Sequence, residues 1–480
     1  MGARAPDFDR ISIALSPGLT NNEAGAIELA MTTQHHPLAG AVLEYEHGKA
    51  LARHIFLAVM AEMDVWRAML SKLRFSDGVL MAGEEVVPVT KPPYVIAFGK
   101  AATRMAAALS EILGGGVAAG VVVAPAAARP GHKLDRFVYY EAGHPYPTHG
   151  SLDGAAAALD LVSGLTPDDL VIFLVSGGGS ALFEKPLEAE VTLADLVGFN
   201  RILVTGNLPI ERINVLRKHI SAVKGGRLAE AAFPARQFTI YISDVPEEFP
   251  SMVASGPTFA DESTLDQCYE LAESHGLVAK FPPRIRAQFE RRSLKETPKP
   301  GNERFSRSGY FCVLSNRDAV EAARGFAAEA GFHTEIESGV WDADYRQAAE
   351  TSIGSLTECV RANPGKPVCL VMGGEITCPV TGHGVGGRNL SFALCAAQKI
   401  EGQKRVVLSC ATDGRDGNSP SCGGVADGHT VSRARARGLD AESTLRESDA
   451  YHFFRALGET IETGFTDNNV RDLRLLMSFE

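Results

Sequence analysis

Apolar and polar positions along this chain follow two rhythms. From Leu51 to Leu70, "LARHIFLAVMAEMDVWRAML" sets Ile55, Val59, Met63 and Trp66 at spacings of four, four and three, which predicts one amphipathic helix. Short β-branched runs come next, each closed by a turn signal. "PYVIAFGK" precedes the helical "AATRMAAALSEIL"; "AGVVVAP" and "DLVIFLVSGGGSAL" follow; "QFTIYISDVP" comes after "NVLRKHISAVKGGRLAEAAF". Continuous apolar strands alternating with helices are the mark of a parallel sheet covered on both faces. Past the charged, proline-bearing "RRSLKETPKPGNERFSRSG" the alternation resumes, with "GYFCVLSN", a helix from about Arg317 to Ala330, "KPVCLVMGGE" and "KRVVLSCATDG". The expected architecture is α/β with two domains, each with a mostly parallel sheet flanked by helices. The expected boundaries are an irregular N-terminal extension over 1–45, a first domain over 46–290, a linker over 291–308 and a second domain over 309–480.

A length of 480 residues fits two domains better than one core. The formal charge of -11 argues against a nucleic-acid partner, which asks for a basic face, but leaves room for a small anionic substrate held by a local cation cluster. No stretch reaches the about 20 apolar residues of a membrane span, and the first residues lack a signal-peptide layout. The eight cysteines, from Cys268 to Cys422, contain no C-x-x-C pair. They read as free thiols of a reducing compartment, and the expected location is cytoplasmic.

In an open parallel sheet, ligands bind beyond the carboxyl ends of the strands. This chain places there Gly99 and Lys100; Ser176, Gly177, Gly178, Gly179 and Ser180; Asp244; Asn316, Arg317 and Asp318; Gly373, Gly374 and Glu375; and Asp413, Gly414, Asp416 and Gly417. Singly, each has an ordinary structural reading: a turn glycine, a solvated lysine, a helix-capping aspartate. Together they are what phosphoryl transfer requires, with N–H donors and cations for the phosphate oxygens and carboxylates for magnesium. The P-loop pattern is absent, since Tyr94 stands where its first glycine belongs and Ala101 where Ser or Thr belongs. A dinucleotide-type G-x-G-x-x-G occurs at Gly382, Gly384 and Gly387, but the segment before it is short and polar, and Arg388 follows at the helix start. His144 and His219 have no partner at metal-ligand spacing and read as structural histidines. Ser180 lacks the glycine two residues on that a hydrolase elbow needs.

The ordered motifs "AFGKAA", "GHPYPTHGS", "LVSGGGSALFEKP", "LRKHISAVKGGRLA", "SDVPEEFPSMVASGPT", "MGGEITCPVTGHGVGGRNLSFAL" and "ATDGRDG" closely resemble those of the type-2 glycerate kinases, whose C-terminal half is called the MOFRL domain. The resemblance runs over roughly residues 48–477. It implies a Rossmann-like first domain, a MOFRL-type second domain and an active site in the cleft between them. The implied reaction transfers the γ-phosphoryl group of ATP to D-glycerate with Mg2+, usually giving 2-phosphoglycerate. The family lysine falls on Lys100, its arginine on Arg388, and its acids on Asp244, Asp413 and Asp416. Val385 stands where the family commonly has Arg, and Leu390 with Ser391 where it has Gln–Glu.

On that reading Lys100 and Arg388 neutralise the moving phosphoryl group. Asp244 and Asp413 bind magnesium or orient the attacking hydroxyl, and Asp416 joins them as a metal ligand. The N–H groups of Ser176–Ser180, with Arg217 or Lys218, meet the glycerate carboxylate or the ATP phosphates; Asn316, Gly374 and Glu375 complete the binding set. The rival reading is an NAD(P)H-dependent hydroxypyruvate reductase, a label that some relatives have carried. No membrane partner is expected, and a homo-oligomer is compatible with the sequence.

Overall fold

The computed structural model describes residues 37–125, 134–206, 208–337 and 343–480. Most of the expected extension, 1–36, lies outside these residues; from Pro37 the chain is helical rather than irregular. The contacts divide the chain into two compact units. One comprises Met60–Ala319 with Phe465–Arg471, the other the chain up to Val59 with Val320–Gly464 and Asp472–Glu480. Among the described residues no helix is long and apolar enough to cross a membrane.

The first unit opens with a small antiparallel sheet of β1 (Leu73–Ser76), β2 (Val79–Ala82) and β3 (Glu85–Pro88). Its main sheet is parallel throughout and contains β4 (Tyr94–Phe98), β5 (Ala119–Pro125), β6 (Phe137–Ala142), β7 (Leu170–Val175), β8 (Arg236–Ile242) and β9 (Ser308–Leu314). The order is β6-β5-β4-β7-β8-β9. The chain thus winds outward from β4 in one direction and from β7 in the other, and a crevice opens where the direction reverses. All six residues of β7 are buried, as a strand covered on both faces demands.

The second unit holds β10 (His333–Glu337), β11 (Val368–Met372), β12 (Arg405–Ala411), β13 (Gly423–Asp427), β14 (Thr460–Ile461) and β15 (Asp472–Ser478), in the order β10-β11-β15-β12-β13-β14. This sheet departs from the expected parallel one. Only β10 and β11 pair in parallel; the C-terminal β15 inserts between β11 and β12 antiparallel to both, and β13 and β14 continue antiparallel. β15 is buried along its whole length, so its apolar run reads like a parallel strand although its neighbours oppose it.

Three further expectations shift. Ser308–Leu314 is the edge strand of the first sheet, not the start of the second domain. The expected linker is packed: Arg227 Nη2 donates to the Lys295 carbonyl at 2.9 Å, Tyr269 Oη accepts from Leu294 N at 3.0 Å, and Thr297 Oγ1 donates to Asp261 at 2.8 Å. The expected helix over 51–70 is two helices, Pro37–Glu62 and Val65–Lys72, because Asp64 leaves the helical conformation and accepts from Arg67 N as an N-cap. The first of these helices docks on the second unit. Lys49 is buried with its Nζ 2.7 Å from Glu459 and 3.2 Å from Asp427, and Gly48 lies so close to Phe479 that a Cβ would stand 2.9 Å from its ring.

Candidate active site

The register pairs Phe98 of β4 with Val175 of β7, and the two chains stay joined beyond the strand ends. Ser176 N donates to the Phe98 carbonyl at 3.1 Å, Lys100 N to the Gly177 carbonyl at 2.9 Å, and Ala101 N to Ser176 Oγ at 3.1 Å. This tight join needs Gly99. Its φ is +117°, and a Cβ there would stand 2.3 Å from Ser176 Oγ.

Gly177 and Gly178 lie just beyond β7, and what surrounds them is legible from where a side chain would collide. A Cβ on Gly177 would meet the Asp244 carboxylate at 2.4 Å and Asn469 Nδ2 at 3.3 Å. On Gly178 it would meet Lys100 Cγ and His144 Cδ2, both at 3.2 Å. Lys100, His144, Asp244 and Asn469 therefore converge on two bare backbone units. No hydrogen bond among the described residues uses the N–H of Gly177 or Gly178. Gly179 is pressed against the loop after β8, where a Cβ would stand 2.5 Å from that of Ala254. In that loop Ala254, Ser255 and Gly256 all have positive φ, a costly run for the first two. Ser255 Oγ holds Ser180 Oγ at 2.8 Å and Asn214 Oδ1 at 2.9 Å.

The remaining candidates of the first unit serve as anchors. Asn316 Nδ2 donates to the Val470 carbonyl at 2.6 Å, which fixes the segment that carries Asn469. Arg217 Nε donates to Asn200 at 2.8 Å, and burial lowers its pKa against the pull of Glu184. Glu184, just past the glycines, is held by Lys224 at 2.5 Å and Ser221 at 2.6 Å. Lys218 is committed to Asp261 at 2.9 Å. The recorded partners of Arg217 and Lys218 lie at Asn200 and Asp261, not among Ser176–Ser180.

In the second unit Arg388 opens the helix Arg388–Lys399. Its Nε and Nη2 donate to the two carboxylate oxygens of Asp472 at 2.7 and 2.9 Å, and Nη1 lies 2.6 Å from Glu375. Arg474 Nη2 reaches the same Asp472 at 2.8 Å. Burial acts to raise the Asp472 carboxyl, but the two guanidinium groups outweigh it and hold it below the ordinary carboxylate range. Gly374, at φ +92°, offers its carbonyl to Asp472 N at 3.3 Å. The carboxyl ends of β11 and β12 and the start of β15 thus lie at one end of the sheet, around Arg388.

Asp416 does not fit the metal role expected of it. It is fully buried, and its two oxygens accept from Asn389 N at 3.0 Å and Leu390 N at 2.8 Å, which caps the helix behind Arg388. Burial pushes its carboxyl up to about 6. Asp413 is half-buried after β12 and accepts from Arg415 N at 3.1 Å. Asp244 and Asp413 offer the oxygen donors a hard cation prefers.

The G-x-G-x-x-G glycines have another explanation than a dinucleotide. A Cβ on Gly382, Gly384 or Gly387 would fall 2.4 Å from Glu447, Asp449 or Asp416 respectively. They allow close packing, and the chain before them is loop rather than strand. At the positions departing from the family pattern, Leu390 points into the apolar core and Ser391 is buried. The sequence reading of His144 is a structural histidine, and Asn469 and Asp472 are not singled out. The signal available was the motifs "GHPYP" and "DNNVRDLR", which hold all three.

The fold and these strand-end constellations define a two-unit α/β enzyme. The chain matches a domain of unknown function, DUF4147, over residues 51–290 and the MOFRL family over 368–472. It is 38% identical over 386 residues to a D-glycerate 2-kinase of Thermotoga maritima, covering 79% of this chain and 89% of that one. It is 35% identical over 414 residues to a glycerate 2-kinase of Pyrococcus horikoshii, covering 85% and 92%. The crystal structure of a glycerate kinase from Thermotoga maritima superposes with a TM-score of 0.76 at 34% identity, covering 90% of this chain and all of that one. The chain belongs to the type-2 glycerate kinase (MOFRL) family.

Proposed function

We propose that this chain transfers the γ-phosphoryl group of ATP to a hydroxyl of D-glycerate, giving 2-phosphoglycerate. The observation that carries this reading is Lys100 packed on Gly178, beside N–H groups with no partner among the described residues. Bare N–H donors beside a lysine side chain suit a phosphate or a small carboxylate. In the reaction the glycerate hydroxyl oxygen bonds to the γ-phosphorus, the bond from that phosphorus to the bridging oxygen of ADP breaks, and the hydroxyl proton passes to a carboxylate.

Lys100 and Arg388 both serve this one reaction by neutralising charge that spreads over the phosphoryl oxygens. Arg388 is pre-aimed, because Asp472 and Glu375 hold its fork on three sides. Asp244 and Asp413 are the residues that would hold Mg2+ or orient the hydroxyl. When bound, Mg2+ supplies neutralisation of the phosphate oxygens. Asn469 and His144 flank the same glycines and orient whatever anion rests there.

Phosphorus NMR after incubation with ATP, Mg2+ and D-glycerate tests the reading. The expected outcome is ADP with a single phosphate monoester on the 2-hydroxyl. The 3-phosphate would overturn the regiochemistry. No ATP consumption, together with NADH oxidation on hydroxypyruvate, would overturn the kinase reading itself.

A further inference from the structure

We propose that His333, Glu335 and Cys359 form a binding site for a divalent transition ion of the zinc class, separate from the phosphoryl-transfer groups. His333 and Glu335 lie two residues apart on β10, an edge strand, so both side chains stand on one face. Cys359 comes from the helix Tyr345–Ala362, which packs against β10 and β11. One ligand atom of each residue lies within 4.8 Å of the others, and His333 Nε2 is already 3.1 Å from Glu335 Oε1. A tetrahedral zinc centre spaces such atoms roughly 3.4–3.6 Å apart, given metal–ligand bonds of about 2.0–2.3 Å. A small adjustment of two half-exposed side chains closes that gap.

The donor set decides the ion. An imidazole, a thiol and one carboxylate select zinc-class ions, whereas a magnesium site needs oxygen donors. The thiol is buried while the imidazole and carboxylate face solvent, at 37% and 49% side-chain exposure, so the fourth position is open to water. On binding, the Cys359 S–H bond gives its proton to solvent and the sulfur lone pair bonds to the metal. Asn363 Nδ2, 3.8 Å from the sulfur, stands ready to donate to the thiolate. The bound ion would clamp the edge strand to the helix behind it.

The test is titration of the full chain with Co2+ as a spectroscopic stand-in, followed by Zn2+ competition, with Mg2+-dependent kinase activity measured alongside. One equivalent of Co2+ should raise a thiolate-to-cobalt charge-transfer band that Zn2+ abolishes. Cys359→Ser should remove the band. His333→Ala and Glu335→Gln, both at solvent-facing positions that leave the fold intact, should weaken binding about tenfold or more without changing kinase activity. A wild-type protein with no such band, a band that survives in Cys359→Ser, or unchanged affinity in both other variants would overturn the site. None of these outcomes bears on the kinase reading, which the NMR experiment tests independently.

Discussion

The surroundings of Lys100 and of Arg388 are built in opposite ways. Around Lys100 the architecture is backbone: two strand ends zipped together, glycines where no Cβ fits, and a neighbouring loop with three successive positive φ values. Around Arg388 it is side-chain charge, with Asp472 shared between Arg388 and Arg474, Glu375 on the third side, and Asp416 capping the helix beneath. A backbone cradle is rigid because its alternatives are sterically forbidden. A charge network is rigid because removing one member strands the others in a low dielectric. The two regions should therefore fail differently.

The largest expected effect is on rate. Lys100→Ala should lower kcat by about 10³-fold or more while the melting temperature stays put, since a cationic contact on the moving phosphoryl group is worth that much. Near-normal turnover would remove Lys100 from the chemistry and leave the cradle as a structural turn.

The next effect is on stability. Asp472→Ala leaves the buried Arg474 and the half-buried Arg388 without their shared carboxylate and should cost about 3–5 kcal/mol in urea unfolding. A loss below about 1 kcal/mol would mean that the network relaxes, and that Arg388 is less firmly aimed than Lys100.

Gly99→Ala probes the backbone side. An alanine at φ +117° with its Cβ 2.3 Å from Ser176 Oγ should cost at least about 1–3 kcal/mol and disturb the crevice. Unaltered stability and KM would show the loop to be pliable.

The smallest effect is a pH dependence. Burial raises Asp416 from the ordinary carboxyl range to about 6. A raised carboxyl contributes stability that is complete below its unfolded-state pKa and is lost as pH climbs through the folded-state value. The stability of wild type relative to Asp416→Asn should therefore be greater near pH 4 than near pH 7. Urea unfolding at both values checks the sign, and the reverse order would mean that the capping N–H groups outweigh burial.

Much of this was written locally. Runs such as "LVIFLV" and "YVIAF" announce buried strands, and the glycines after them announce turns that side chains cannot make. Candidates at strand ends followed from sheet geometry alone, and Lys100 and Asp244 pack beside Gly178 and Gly177. The role of Asp416 was not readable, because a capping aspartate and a metal-binding aspartate look alike until the N–H groups of residues 389 and 390 are in place. Lys218 was equally ambiguous, since its partner Asp261 lies 43 residues on.

The sequence by itself determined the two-domain α/β class, the strand-and-glycine punctuation and the residue types at the strand ends, because periodicity and φ preferences act over a few residues. Only the tertiary structure decided that Ser308–Leu314 completes the first sheet, that the last strand runs antiparallel through the middle of the second, and that Arg388 meets an aspartate 84 residues away. Those outcomes turn on which distant surfaces bury one another and which charges must be paired once water is excluded. Such competition among the whole chain's contacts leaves no periodic trace in any one stretch of residues.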